Sequence, residues 1–136
     1  MIDGLEKRKF QRLAVPLEIT LEVISAQNIS KGQPLTHVRS RDISKGGICL
    51  ETKSLEISGV NLLEGPPFAR DNCLRLSIEI DPNGPPLMAT GEVVWYNVEQ
   101  DIPEFIFRLG VAFIDISEDG KDRLAEFLKK HRNYMP

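Results

Sequence analysis

The chain has 136 residues, enough for one domain and little more. Its apolar content of 41% and charged content of 27% are those of an ordinary globular protein. The net charge of −3 speaks against a general nucleic-acid binder, whose affinity rests on net basic charge, while leaving room for a local basic patch.

The opening stretch, MIDGLEKRKFQR, is charged and has no apolar h-region, so it does not read as a secretory signal. No apolar run in the chain reaches the roughly 18 residues of a membrane span, and the expected location is cytoplasmic. Residues 1–12 read as a flexible basic arm and residues 13–136 as the folded unit.

Residues 15–25 alternate: Val15, Leu17, Ile19, Leu21 and Val23 share one face, and Glu18, Thr20 and Glu22 the other. That is the period of a half-buried strand. Turn residues fill 28–34, and 35–42 predicts a mostly polar strand. RDISKGGI (41–48) breaks the pattern with a turn before a further strand at 47–52. Residues 53–72 contain Gly59, Gly65 and Pro66-Pro67 and read as a long connection. Three strands follow, at 73–80, 87–98 and 104–116, the first two joined by the hairpin loop DPNGPP. The period then becomes helical, with Leu124, Phe127, Leu128 and His131 on one side, Ser117 as N-cap, and Glu118 and Asp119 in the first turn. Short loops between successive strands imply antiparallel pairing. The expected fold is therefore all-β with a C-terminal helix: a six-stranded antiparallel β-barrel with the helix packed against one opening. Trp95 and the Phe105, Phe107 and Phe113 stripe read as barrel core rather than as a stacking platform.

Catalytic chemistry finds no support. His37 and His131 stand near no nucleophile signature, and there is no phosphate-cradling glycine loop or zinc-spaced Cys/His set. Cys49 and Cys73 read as reduced structural thiols, pairable only if a sheet brings them together. Two features carry more. The arm places Arg8 and Arg12 four residues apart with Lys7 and Lys9 alongside, and arginine offers a planar fork of donors to phosphate oxygens and to the guanine edge. In the turn, Asp42 and Ser44 have the same strand parity and can face one side of the sheet. Gly46 and Gly47 permit positive φ and close approach of a ligand.

RKFQR followed by a strand, a polar strand and then DISKGG resembles the PilZ domain family, marked by RxxxR near the N-terminus and [DN]xSxxG after the second strand. TGEVVWY (90–96) resembles that family's strand bearing GxVxW, and RLGVAFIDIS (108–117) its closing strand. The resemblance runs from about Glu6 to His131. It implies a six-stranded barrel and a non-enzymatic receptor for cyclic di-GMP, with no cofactor. Arg8 and Arg12 would hold guanine edges and phosphates, Asp42 and Ser44 would meet a guanine, and Gly46 and Gly47 would let the nucleotide lie against the backbone. Lys7 precedes the first motif arginine, where the family's choice between one nucleotide and a stacked pair is influenced; lysine leaves both open. The resemblance further implies a stand-alone adaptor that signals to a partner protein in motility, exopolysaccharide or biofilm control, with no DNA or RNA partner. The alternatives are a PilZ-like scaffold that binds protein and no nucleotide, and a small barrel binding single-stranded nucleic acid.

Overall fold

A computed structural model of the chain describes residues 12–25, 35–57, 59–99 and 106–132. Lys7, Arg8 and the remainder of the basic arm before Arg12 lie outside the described residues, as does Phe105.

Nine strands and one helix are found among them: β1 (Leu13–Ala14), β2 (Glu18–Ser25), β3 (Thr36–Ile43), β4 (Gly47–Thr52), β5 (Glu56–Ile57), β6 (Val60–Asn61), β7 (Asn72–Ile78), β8 (Leu87–Glu99), β9 (Ile106–Ile116) and α1 (Glu118–Arg132). Six of the strands run in the order β3-β2-β7-β8-β9-β4, and pairing of β4 with β3 closes them into an antiparallel barrel. Closure gives each of these six strands a hydrogen-bonded neighbour on both sides. The alternation read from the sequence holds: Leu17, Ile19, Leu21 and Val23 from one strand, and Leu74, Leu76 and Ile78 from another, are buried together. The barrel is filled by aliphatic side chains, and Phe107 and Phe113 pack against that core from its margin.

The strand expected at 15–25 begins only at Glu18, and the short β1 precedes it. Both β1 and β2 pair with β3, and the chain between them leaves the ladder. Ser40 repairs the gap. Its hydroxyl accepts the Leu17 N–H at 2.8 Å and donates to the Val15 carbonyl at 2.7 Å, and only 2% of the residue is exposed. A buried serine is tolerated here because both its capacities are used. The consequence is positional: Leu13 lies opposite Ile43 and Ala14 opposite Asp42, so the chain emerging from Arg12 is fastened beside the β3–β4 turn.

The long connection 53–72 is more ordered than its glycines and prolines suggest. It contains the small β5–β6 hairpin and contributes Ile57 and Leu62 to the core. Arg70 ties it down: Nη1 donates to the carbonyls of Leu63 (2.7 Å) and Gly65 (2.5 Å), and Nε donates to that of Val93 on β8 (2.7 Å). The Arg70 N–H in turn reaches the carboxylate of buried Glu92 at 3.0 Å. Helix α1 begins as expected, the Ser117 hydroxyl accepting the Gly120 N–H at 3.0 Å. It lays Leu124, Phe127 and Leu128 into the core, while Arg123 bonds the Pro85 carbonyl ahead of β8. Cys49 on β4 and Cys73 on β7 are both free, on strands separated by β8 and β9.

Candidate functional site

The turn at 44–47 is built from its own side chain. The Ser44 N–H donates to the Gly47 carbonyl at 2.8 Å, and the Ser44 hydroxyl accepts the Gly46 N–H at 3.2 Å. The Gly46 carbonyl accepts from Phe113 N–H on β9 at 2.9 Å, so three strands pin the turn. Ser44 is 9% exposed; its hydroxyl shapes the loop at the rim of a cleft. The glycines serve differently from the expectation. Positive φ occurs at Gly59, Gly65 and Phe68, and neither Gly46 nor Gly47 is among them. What Gly47 supplies is close approach: a Cβ there would overlap the Val111 carbonyl oxygen across the β4–β9 pair.

Asp42 lies opposite Ala14 on one side and Cys49 on the other, at a bulge in β3. Arg12 comes to meet it, with Nη1 3.8 Å from Asp42 Oδ1. The same guanidinium carbon lies 6.0 Å from the centre of the Trp95 ring, within cation–π range. The expectation of Trp95 as core is thereby corrected. Its ring is on the outer surface and 37% exposed. A bulge between Val93 and Trp95 is the cause. Val93 faces Val111 and Trp95 faces Gly110, so two steps on β8 match one on β9 and the tryptophan turns outward. Gly110 makes the seat, since a Cβ on it would collide with the indole.

These residues line one cleft of about 450 Å³: Arg12, Asp42, Ser44, Gly46, Gly47 and Trp95 border it, and Phe68 of the 53–72 connection joins them. A second depression adjoins it through Arg12, Asp42 and Trp95 and adds Arg41, Asn97 and Arg108. Cys49 beneath them registers the local field. Burial, then the Asp42 carboxylate, push its thiol up to about 11, while Arg12, Arg108 and Arg41 pull against that shift. Two larger depressions, of about 600 and 660 Å³, exist elsewhere, but neither combines an arginine with a tryptophan or phenylalanine face. His37 is hydrogen-bonded to Thr20 at 3.3 Å and the His131 ring packs 4.1 Å from that of Phe127, both away from this cleft.

The site therefore joins a guanidinium fork, a carboxylate acceptor and an exposed indole face. That set suits a planar ligand carrying both negative charge and hydrogen-bond donors, and a purine nucleotide has all three properties. Five of the seven residues singled out from the sequence converge on it; Lys7 and Arg8 lie outside the described residues. Sequence reasoning missed Phe68, Arg70, Gly110, Arg41 and Arg108. The Val93-Val94-Trp95 run, which breaks strict alternation, is the one signal that could have exposed the bulge.

The profile of the PilZ domain family matches residues 6–130. The PilZ domain of Escherichia coli YcgR with c-di-GMP superposes with a TM-score of 0.63 at 14% identity, over 93% of this chain and 95% of that one. The Bacillus subtilis inhibitor of motility, MotI/DgrA, also gives 0.63 at 14% identity, over 95% of this chain and 53% of that one. The K. pneumonia MrkH–c-di-GMP complex gives 0.64 at 17% identity, over 93% and 53%. The chain thus spans about half the length of the last two, and at these identities the likeness is one of fold. No curated protein matches the sequence.

Proposed function

Because the chain belongs to the PilZ domain family, we propose that it is a receptor for cyclic di-GMP. The observation that carries this reading is the convergence of Arg12, Asp42, the Ser44–Gly47 turn and Trp95 on one cleft. Arg12 offers its fork to phosphate oxygens or to the O6/N7 edge of guanine, and its flat face to a base. Asp42 accepts from the N1 and N2 donors of guanine. The turn lets the nucleotide lie against the barrel, and Arg8, with Lys7 beside it, completes the grip from the preceding residues.

The proposed output is conformational. A ligand that touches both the RxxxR segment and the Asp42–Ser44 turn stabilises the arrangement in which the two are together, and it does so by contacts made only there. The surface so assembled is what a partner protein would read. On this reading the protein is a non-enzymatic, cytoplasmic adaptor, acting in motility, exopolysaccharide or biofilm control. The net charge of −3 argues against DNA or RNA as the partner. No helix among the described residues is long and apolar enough to cross a membrane.

Calorimetric titration with cyclic di-GMP tests the reading, with Arg12→Ala and Asp42→Ala in parallel. Saturable binding that both substitutions abolish, with one or two nucleotides per chain, is the expected result. Absence of heat from a folded wild-type protein would overturn it in favour of a scaffold that binds protein only.

A further inference from the structure

Pro66, Pro67, Phe68 and Ala69 form a closed turn, the Ala69 N–H donating to the Pro66 carbonyl at 2.9 Å. Proline in the second position holds φ near −65° and excludes the mirror-image turns. Phe68, in the third, has φ 67°, which leaves a type II turn, and that third position belongs by sterics to glycine or asparagine. A phenylalanine with positive φ is an outlier among bulky residues. It is also 73% exposed, the most of any large apolar side chain among the described residues. Two unfavourable features thus meet in one residue, and packing among the described residues leaves most of its side chain exposed.

The turn is not a loose tip. Arg70, two residues on, carries its bonds to Leu63, Gly65 and the Val93 carbonyl, and so fixes the turn to β8 two residues from Trp95. The Asp71 N–H adds a bond to the Glu64 carbonyl at 3.0 Å. The phenyl ring lines the same cleft as Arg12, Asp42 and Trp95. A strained, exposed aromatic held over a cleft by a rigid anchorage has the properties of a contact surface for whatever fills that cleft.

We propose that Phe68 is a ligand-contacting residue: its ring stacks on a purine base seated in the cleft and forms a wall distinct from the Arg12–Trp95 side. This rests on the receptor reading above and extends it to a residue outside the RxxxR and DxSxxG segments. The stacking surface comes from the 53–72 connection, so the affinity of this site depends on that segment as well as on the barrel.

The test exploits opposite signs. Phe68→Gly removes the ring and suits the positive φ, so its thermal midpoint should equal or exceed that of the wild type. Its affinity for cyclic di-GMP should fall about 5- to 150-fold, the range for loss of one base–aromatic stack. Phe68→Tyr should retain binding and Phe68→Leu should lose it, because apolar bulk without an extended π-face does not replace the stack. Binding would be followed by calorimetry and by the emission of Trp95, the only tryptophan in the chain. Wild-type affinity in Phe68→Gly, with binding abolished in Arg12→Ala, would overturn the role of Phe68 and leave the receptor reading standing. No binding by the wild type would overturn both.

Discussion

Adding one methyl group at Gly110 should unseat Trp95. Gly110 lies opposite Trp95 in the β8–β9 pair, and an ideal Cβ there would fall 2.7 Å from indole Cδ1 and nearer still to Nε1 and Cε2. The obstacle is a rigid bicyclic ring lying across the glycine, so it cannot yield by a small rotation and must tilt away. Trp95 is 37% exposed, leaving nearly two-thirds of its surface covered. An aromatic side chain buries about 150–250 Å², so complete expulsion would return roughly 100–160 Å² to water and cost about 2.5–4 kcal/mol at 25 cal/mol per Å². Partial tilting with some overpacking costs less, and Gly110→Ala should destabilise by about 1–3 kcal/mol, lowering the midpoint by roughly 3–10 °C at this size. The assay is direct because the chain has a single tryptophan. Its emission should shift to the red and its quenching by acrylamide should rise. Nucleotide affinity should fall in step, since Arg12 loses the face it lies against. Unchanged emission, together with an unchanged unfolding midpoint, would refute the seating of Trp95 on Gly110.

Arg70→Ala removes three side-chain donors from backbone carbonyls and should cost about 2–4 kcal/mol in urea denaturation, with faster amide exchange concentrated in residues 59–71. Ser40→Ala leaves the buried Leu17 N–H without its acceptor, and should cost about 1–3 kcal/mol by the same measurement. Cys49 should give a pH signature. Its folded thiol is raised from 9.0 to about 11, chiefly by burial. Below pH 9 the thiol is neutral in both states. Between 9 and 11 only the unfolded chain ionises, so stability should fall by about 2–3 kcal/mol and then level off. In Cys49→Ala that part of the alkaline decline should vanish, and an undiminished decline would show that other groups cause it.

The fold was legible because its physics is local. Leu17 to Val23 and Leu74 to Ile78 alternate strictly, and Ser117 announces the helix. The site was legible in part for a related reason. Arg12 sits two residues before Ala14, the strand partner of Asp42, so elements close in sequence and joined by one ladder come together. What stayed hidden depends on long-range geometry. The outward turn of Trp95 rests on one extra residue in β8, which inverts every parity argument beyond it. Arg70 reaches across from a turn-rich segment to a carbonyl on β8, and nothing around it in sequence marks that bond. Phe68 borders the cleft on a turn that Arg70 ties to β8.

The position of Arg12 bears on how a ligand could act. Arg12 already lies against Asp42 and Trp95, and the next two residues are paired to β3. A partly exposed ion pair at 3.8 Å is worth about 1 kcal/mol or less, so a nucleotide can replace it with its own bonds to both partners at small cost. The second motif arginine is thus set beside its expected partners by the barrel itself. The proposed conformational output is therefore assigned to residues before Arg12, among them Lys7 and Arg8. Amide exchange separates the two regions. Leu13 and Ala14 should be protected with or without cyclic di-GMP, and protection of residues 5–11 should rise on saturation. Protection gained first at Leu13 and Ala14 would move the hinge into the barrel, and exchange unchanged throughout 5–14 would refute the proposed conformational output.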